Sequence, residues 1–161
     1  MSYLVVKDTR EKAGHGWTFK KNDHCLGQVV DTLKTGDYSL RGFESVVVVE
    51  RKGGVAEFVG NLTKKRFQDE LGRLESIPYP FVICEFTIED LINYPVGSGI
   101  PPRKWKYLKV KGPAALKLFL DIQMVFKTKF LFCGQEGQTV ASSIFKRAME
   151  RLDEYEKGFA T

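Results

Sequence analysis

The sequence is poor in the residues that build disulfide frameworks and zinc sites. Its 161 residues include three cysteines and two histidines, and Cys25, Cys84 and Cys133 lack the paired spacing of a metal site. An odd number of widely separated cysteines favours a reduced intracellular compartment over a disulfide scaffold. The sequence therefore predicts an intracellular protein without a structural zinc site.

Long apolar runs are also missing. The amino-terminal run from Tyr3 to Val6 is followed at once by Lys7 and Asp8, and no stretch approaches the roughly 18 apolar residues of a membrane span. We therefore expect a soluble chain. Its apolar content of 43% suffices for one ordinary core, so we expect a single domain over residues 1–161.

Charge of either sign is abundant, with a mild basic excess. Lysine and arginine outnumber aspartate and glutamate by 25 to 20, which gives a formal net charge of +5. Such an excess fits a polyanionic partner such as nucleic acid, but it also fits many other soluble proteins. Charge alone does not choose a function.

Apolar periodicity predicts strands that alternate with helices. The predicted strands are Tyr3 to Val6, Tyr38 to Arg41, Val46 to Arg51, Phe81 to Phe86 and Lys129 to Cys133. The predicted helices cover about 22–33, 61–75, 88–93, 113–126 and 138–155, and residues 94–107 are predicted to be irregular. This alternation predicts an α/β fold with a sheet covered on both faces.

The stretch GDYSLRGFESVVVVERK, residues 36–52, ends a buried strand on three charged residues. If Gly42 to Ser45 form a hairpin loop, the register places Asp37 opposite Glu50. Because strand side chains alternate, Glu50 and Lys52 share one face and Arg51 points to the other. The sequence therefore predicts an acidic pair with a lysine beside it at a sheet edge.

Opposed carboxylates repel each other unless a cation or a hydrogen-bond partner lies between them. Mg²⁺ is a natural cation here, since it prefers oxygen ligands and is held by one or two carboxylates with waters and substrate phosphates. Asp37, Glu50 and Lys52 would then suit metal-assisted hydrolysis of nucleic acid. The pattern alone also fits a surface hairpin on which Glu50 and Lys52 form an ordinary exposed ion pair.

Three motifs in order resemble one family of nucleases. The stretch with Gly36, Asp37 and Glu50 to Lys52 resembles the Gly-Asp-x(n)-Glu-Arg-Lys signature of the XPF, Mus and Hef structure-specific endonucleases, a branch of the PD-(D/E)xK superfamily. Asp8-Thr9-Arg10-Glu11 is similar to the family's first-strand motif, and residues 66–71, RFQDEL, are similar to a helix motif that follows the signature. The resemblance covers about residues 4–85 in detail.

The resemblance implies a restriction-endonuclease-like domain with a central mixed sheet, and a site that holds Mg²⁺ or Mn²⁺. Asp37 would be the central metal ligand and Glu50 the second, and Lys52 would handle the attacking water or the charge of the phosphorane. Arg51 would support catalysis or contact phosphate. Glu11 would approach the metal from the first strand. Asp8 would belong to the catalytic group and would order that corner with Arg10, which would also contact DNA.

One position departs from the family pattern. The family usually has an aspartate four residues after the signature lysine, where this sequence has Ala56. A shift of one residue offers Glu57 as a metal ligand instead. Larger members append helix-hairpin-helix units, which are not recognised in this sequence, so we expect weak DNA affinity from the domain alone.

Basic residues outside the signature predict a DNA surface. Arg66 lies in the helix motif, and Arg103, Lys104 and Lys106 alternate with aromatic residues, as on surfaces where cations meet phosphates and rings stack on bases. A solvated basic loop explains the second group equally well. His15 and His24 belong to none of the motifs, and we assign them no role.

The last helix bears on the oligomeric state. It carries an apolar stripe, which could pack on the domain or pair two nuclease domains, as the corresponding end does in the family; the stripe comprises Val140, Ile144, Ala148, Leu152 and Tyr155. We expect a homodimer, or a heterodimer with another nuclease-fold or DNA-binding subunit.

The sequence thus predicts a metal-dependent endonuclease acting on branched, flap or junction DNA in repair or recombination. Two alternatives remain at this point: a catalytically idle nuclease fold that binds DNA or assembles with an active partner, and a PD-(D/E)xK nuclease without branch preference. Idle relatives typically lose the acidic residues or the lysine, whereas this sequence keeps Asp37, Glu50, Arg51 and Lys52.

Overall fold

A mixed sheet of six strands, with helices on both faces, forms the centre of the computed structural model, which describes residues 1–11, 15–156 and 158. This confirms the predicted α/β fold class. The strands are β1 (Tyr3–Asp8), β2 (Cys25–Asp31), β3 (Tyr38–Leu40), β4 (Val47–Lys52), β5 (Tyr79–Cys84) and β6 (Lys129–Phe132).

The strand order is β2-β1-β3-β4-β5-β6. β1 is parallel to β2 and antiparallel to β3, β3 is antiparallel to β4, and β4, β5 and β6 are mutually parallel neighbours. The carboxyl ends of β1 and β4 and the amino end of β3 therefore meet at one edge of the sheet. All three family motifs approach that edge.

Two cores cover the two faces of the sheet. The helices are α1 (Val55–Leu62), α2 (Lys65–Leu74), α3 (Ile88–Ile92), α4 (Gly112–Val125) and α5 (Gly137–Glu156). Helices α1 to α4 pack on one face, around Phe58 and Phe119, and α5 packs on the other face through Phe145. Burial of these large aromatic side chains supplies much of the apolar area that stabilises the fold.

The valine run of β4 is buried from both sides. Val48 belongs to the core under α1 and α2, whereas Val47 and Val49 belong to the core under α5. This alternation fits a central strand covered on both faces. It also fixes the directions of the charged residues that follow, because Glu50 and Lys52 continue the Val48 side and Arg51 continues the other.

The predicted helix over 22–33 is wrong, because β2 occupies most of this segment. The Oδ1 atom of Asn22 accepts hydrogen bonds from the backbone N–H groups of His24 and Cys25, at 2.9 and 2.8 Å, in a turn before the strand. Leu26 and Val30, two apolar residues of this segment, are 55% and 64% exposed on an edge strand. The helical spacing of apolar residues is therefore coincidental.

Residues 94–107 are more regular than predicted. A 3-10 helix spans Pro102–Tyr107, and the indole N–H of Trp105 donates to the carbonyl of Ile100 over 2.9 Å. The remaining predicted helices are found, although the one expected over 61–75 is preceded by α1. Among the described residues, no helix has the length and apolarity needed to cross a membrane.

The apolar stripe of α5 packs mainly on the chain's own sheet. Ala148 is buried, and Val140, Ile144 and Leu152 are partly buried against the same core. The side chain of Tyr155, the last residue of the predicted stripe, lies outside the described residues. Intramolecular packing therefore accounts for the described part of this stripe.

Candidate active site

A cleft of about 730 Å³ opens at the sheet edge where β1, β3 and β4 meet. Its lining combines an acidic floor with a basic rim. The acidic and catalytic candidates in the lining are Asp8, Glu11, Asp37, Glu50, Arg51, Lys52, Glu57 and Glu70, and the basic residues around them are Arg10, Lys34, Lys64, Arg66 and Arg73. The structure thus brings together every residue that the signature and first-strand motif suggested.

Asp37 is held at the junction of three strands. Its carbonyl accepts a hydrogen bond from the N–H of Asp8 over 2.8 Å, and its own N–H donates to the carbonyl of Val49 over 3.1 Å. Tyr38 pairs with Val49 in β4, which confirms the predicted hairpin register. Asp37 therefore reaches the cleft from a backbone that is fixed on both sides.

The backbone before Asp37 requires a glycine at position 36. Gly36 has φ +80, and a Cβ at this position would lie 2.1 Å from Cγ1 of Val48. Both the left-handed backbone and the close approach to β4 require glycine. The Gly-Asp pair of the signature is therefore a turn that delivers the carboxylate against the neighbouring strand.

Glu50 and Lys52 lie on the same side of β4, as the alternation predicted. Lys52 Nζ is 3.5 Å from Glu50 Oε1, and the side chains of Lys52 and Glu50 are only 8% and 11% exposed. Lys52 also lies over the ring of Phe67, with Nζ 5.0 Å from the centroid. An exposed surface ion pair, the simpler interpretation of the triplet, is therefore wrong for these two residues.

The two carboxylates that flank Lys52 hold protons more tightly than ordinary acids. Burial raises the pKa of Asp37 to about 6; Glu11 and Glu70 add to the rise, and the N–H of Arg51 and the ammonium of Lys52 oppose it. Burial also raises the pKa of Glu50 well above its ordinary value, with Asp37 and Glu70 contributing. Burial and the neighbouring acids thus disfavour ionisation of both carboxyl groups unless a cation is bound beside them.

Lys52 remains a cation in this setting. Burial by itself lowers the pKa of Lys52, but the nearby carboxylates Glu50, Glu70, Asp37 and Glu57 outweigh it, so the net pKa is raised. A protonated ammonium can stabilise negative oxygen atoms, and it cannot accept a proton from water. A protonated Lys52 can serve either role predicted for it, contact with the attacking water or stabilisation of the phosphorane charge.

Arg51 points to the opposite side of β4 from Glu50 and Lys52. Its backbone N–H donates to Asp37 Oδ2 over 2.7 Å, its Nε contacts Glu85 Oε1, and its NH1 lies 3.6 Å from Glu11 Oε1. Two carboxylates therefore share the guanidinium charge. This favours the supporting role predicted for Arg51 over phosphate contact.

The first-strand motif forms a corner beside the cleft. Asp8 is buried; its Oδ2 accepts from Arg10 Nε over 2.6 Å, and its Oδ1 accepts from the N–H of Leu33 over 2.8 Å. Arg10 also donates to the carbonyl of Leu33 over 2.8 Å. Asp8 and Arg10 thus order the corner, as expected. Glu11 extends into the cleft, where its Oε2 is buried without a hydrogen-bond partner among the described residues.

Sequence reasoning missed the rim residues Lys34, Lys64 and Arg73 and two acidic residues that interact with the predicted site. Glu70, on α2, lines the cleft and helps to raise the pKa of Glu50, and Glu85 follows β5 and binds Arg51. Glu70 stands three residues after the buried Phe67, which puts both on the inward face of α2. That spacing could have identified Glu70. No local pattern marks Glu85, because only strand pairing between β4 and β5 brings it to Arg51.

The other predicted site residues divide into two groups. Glu57 and Arg66 line the cleft, and Glu57, not Ala56, is turned towards it from the first turn of α1. Arg103, Lys104 and Lys106 are exposed on the 3-10 helix and are not among the cleft residues. His15 lines the cleft, whereas His24 is exposed in the turn before β2. The predicted DNA surface thus consists of separate patches.

The family model for the ERCC4 domain matches residues 7–141. This chain belongs to the ERCC4 domain family. The match includes all three motifs that approach the cleft. It supports the coarse function of a DNA nuclease of the XPF type, and it confirms the family resemblance of the sequence.

Two solved structures share the fold of this ERCC4 domain. XPF from Aeropyrum pernix matches with a TM-score of 0.61 and 18% identity, over 96% of this chain and 69% of that chain. XPF from Aeropyrum pernix in complex with DNA matches with a TM-score of 0.59 and 17% identity, over 92% of this chain and 66% of that chain. No curated protein matches the chain.

The donor set of the ERCC4 site fits a hard divalent cation. Asp37 and Glu50 supply carboxylate oxygens whose ionisation is opposed by burial and by neighbouring acids, so a cation beside them would be stabilising. Glu11 Oε2 is a buried oxygen without a hydrogen-bond partner in the described chain. Within residues 1–11, 15–156 and 158, no three His, Cys, Asp or Glu side chains converge on one metal position. Mg²⁺ and Mn²⁺ accommodate this, since waters and substrate phosphates complete their coordination.

Proposed function

We propose that this chain is a divalent-metal-dependent endonuclease that hydrolyses phosphodiester bonds in DNA, with a preference for branched, flap or junction structures. The observation that carries the proposal is the group of Asp37, Glu50 and Lys52 at one sheet edge, in which Glu50 and Lys52 are buried. Membership of the ERCC4 domain family supports the nuclease class. One of the matched XPF structures is a complex with DNA, which supports DNA as the substrate.

Asp37 and Glu50 would hold Mg²⁺ or Mn²⁺, with Glu11 and Glu57 at the edges of the same cleft. When bound, the cation would supply positive charge at the scissile phosphate and make the attacking water more acidic. The hydrolysis forms one phosphorus–oxygen bond to water and breaks the bond to the leaving oxygen, which receives a proton.

The residues of the chain supply the remaining steps. Lys52 places a buried ammonium beside the carboxylates, where it would stabilise the phosphorane oxygens as their charge grows. Arg10 and Arg66 would bind flanking phosphates from the rim, and Lys34, Lys64 and Arg73 extend that rim. Arg103, Lys104 and Lys106 would contact DNA farther from the cleft.

Self-association would place two such clefts on one DNA. Met124 and Val125 are 82% and 72% exposed at the end of α4, where they would form the centre of an apolar contact with another subunit. We expect a homodimer or a heterodimer with a related subunit. Sedimentation of the parent chain and of Met124→Asp would test this, since a weaker dimer is expected for the variant.

Labelled flap, fork and linear DNA, each with and without Mg²⁺ or Mn²⁺, test the function directly. We expect metal-dependent cleavage that is faster on branched substrates. Equal rates on all three would favour a nuclease without branch preference. Binding without any cleavage would favour an idle subunit, and full activity in excess chelator would contradict the metal requirement.

A further inference from the structure

The guanidinium of Arg51 contacts two carboxylates that come from distant parts of the chain. Its Nε contacts Glu85 Oε1 after β5, and its NH1 is 3.6 Å from Glu11 Oε1 after β1. The side chains of Arg51, Glu85 and Glu11 are 21%, 22% and 12% exposed. Charge pairs at such shielded positions interact more strongly than pairs on an open surface.

Glu85 does not itself reach the cleft. Arg51 and Glu11 line the cleft, whereas Glu85 is not among the lining residues. The backbone N–H of Glu85 donates to the carbonyl of Lys52 over 2.8 Å, which ties this residue to the end of β4. The side-chain contact that connects the Glu85 carboxylate to a residue of the cleft is the one with Arg51.

The neighbouring backbone restricts where Glu85 can go. A Cβ at Gly137, the first residue of α5, would lie 3.2 Å from Cγ of Glu85. The side chain thus packs closely against the start of α5 and against Arg51. A carboxylate confined in this way holds its partner in one arrangement.

We propose that Glu85 is a positioning residue that acts through the guanidinium of Arg51 to fix the carboxylate of Glu11 at the cleft. This inference rests on the proposed nuclease function. Without Glu85, Arg51 would pair with Glu11 alone and could draw it away from the cleft or swing with it. Glu85 would thereby influence metal binding and turnover without touching DNA.

The test compares Glu85→Gln with a control variant, Glu89→Gln. Glu89 is an exposed glutamate four residues later, and its substitution changes the charge by the same amount. For Glu85→Gln we expect kcat and Mn²⁺ affinity to fall about tenfold, in the range usual for residues that orient metal ligands, with the KM for DNA unchanged. Glu89→Gln should match the parent. Mn²⁺ affinity is measured by calorimetry without DNA, and melting temperatures establish that each variant is folded.

Two further variants test the route through Arg51. In an Arg51→Met background, Glu85→Gln should cause little additional loss, because the partner through which it acts is gone. Glu85→Asp, which retains the carboxylate, should recover most of the kcat that Glu85→Gln loses.

Several results would overturn the inference: an unchanged kcat and Mn²⁺ affinity in folded Glu85→Gln, a loss confined to the KM for DNA, no recovery in Glu85→Asp, or fully multiplicative losses in the double variant. A parent chain that never cuts DNA would refute the proposed function instead. In that case the Mn²⁺ titrations would still decide whether Glu85 acts on the cleft.

Discussion

The backbone N–H of Arg51 donates a hydrogen bond of 2.7 Å to Oδ2 of Asp37. Strand β4 therefore positions the central carboxylate through its main chain, independently of the side chains it presents. An amide oxygen can accept the same hydrogen bond. Asp37→Asn thus removes the negative charge but keeps the hydrogen bond from Arg51. The effect of the charge can therefore be measured separately from the effect of the structure.

Asp37→Asn should lower metal affinity and cleavage while making the metal-free protein more stable. Removal of a poorly solvated charge should raise the free energy of unfolding by roughly 1 kcal/mol at neutral pH, because burial opposes ionisation of Asp37. Thermal melting in chelator measures the stability change, and Mn²⁺ titration measures the affinity. A variant that is less stable than the parent and binds Mn²⁺ equally well would contradict both expectations.

The contribution of Asp37 to the free energy of unfolding of the metal-free protein should decrease between about pH 4 and pH 7. The pKa of Asp37 rises from an ordinary 3.8 to about 6, so the folded state binds a proton more tightly than the unfolded state. The resulting stabilisation is complete below about pH 3.8 and is lost as the pH rises through about 6. Glu50, whose pKa is also raised, acts in the same direction.

Mg²⁺ or Mn²⁺ should reverse this trend, since a cation binds the ionised carboxylates. The rise in melting temperature on adding metal should be larger at about pH 7.5 than at about pH 5. Melting curves with metal and with chelator at both pH values provide the measurement. An equal rise at both pH values would indicate that the metal binds elsewhere.

Lys52→Ala should reduce cleavage by two to three orders of magnitude, roughly the loss seen when one group that stabilises a developing oxyanion is removed. DNA binding should weaken only modestly, because Lys52 lies deep in the cleft and the basic rim remains. Single-turnover cleavage and binding by fluorescence anisotropy measure the two effects. Lys109→Ala, at an exposed lysine outside the cleft, is the control. Undiminished cleavage by folded Lys52→Ala would show that the chemistry lies elsewhere.

Gly36→Ala and Gly42→Ala separate backbone strain from steric conflict. Both glycines have positive φ, of +80 and +86, so each substitution should cost about 1–2 kcal/mol through backbone strain. Only at Gly36 would the new Cβ lie 2.1 Å from Val48, whereas nothing lies within 4 Å at Gly42. We expect Gly36→Ala to lower the melting temperature more and to reduce cleavage by displacing Asp37. Equal effects of the two substitutions would contradict this account of the turn.

DNA affinity should decrease steeply with salt because the contacts are to phosphates. Arg66→Ala should weaken binding about equally on all sequences and reduce the salt slope by about 1. The combined change of Arg103, Lys104 and Lys106 to alanine tests the separate patch on the 3-10 helix. Binding isotherms over a salt series measure both. An unchanged slope in the triple variant would indicate that this helix is a solvated surface rather than part of the DNA interface.

The sequence by itself determined the hairpin and the family. The valine run, the loop from Gly42 to Ser45 and strand alternation predicted the register of β3 and β4 and the opposite directions of Arg51 and Lys52. These features are local, because a hairpin register follows from its loop length and side-chain direction follows from a period of two. The ordered motifs then indicated the nuclease family, which the ERCC4 match confirms.

Tertiary structure decided the features that depend on sequence-distant neighbours. Segment 22–33 has helical spacing, yet it forms β2 because its backbone pairs with β1 at the edge of the sheet. Glu85 reaches Arg51 through the pairing of β5 with β4, and Glu70 reaches Glu50 through the packing of α2 on that sheet. The raised pKa values of Asp37 and Glu50 have the same origin. They arise from burial and from charges brought together by folding, which no local pattern encodes.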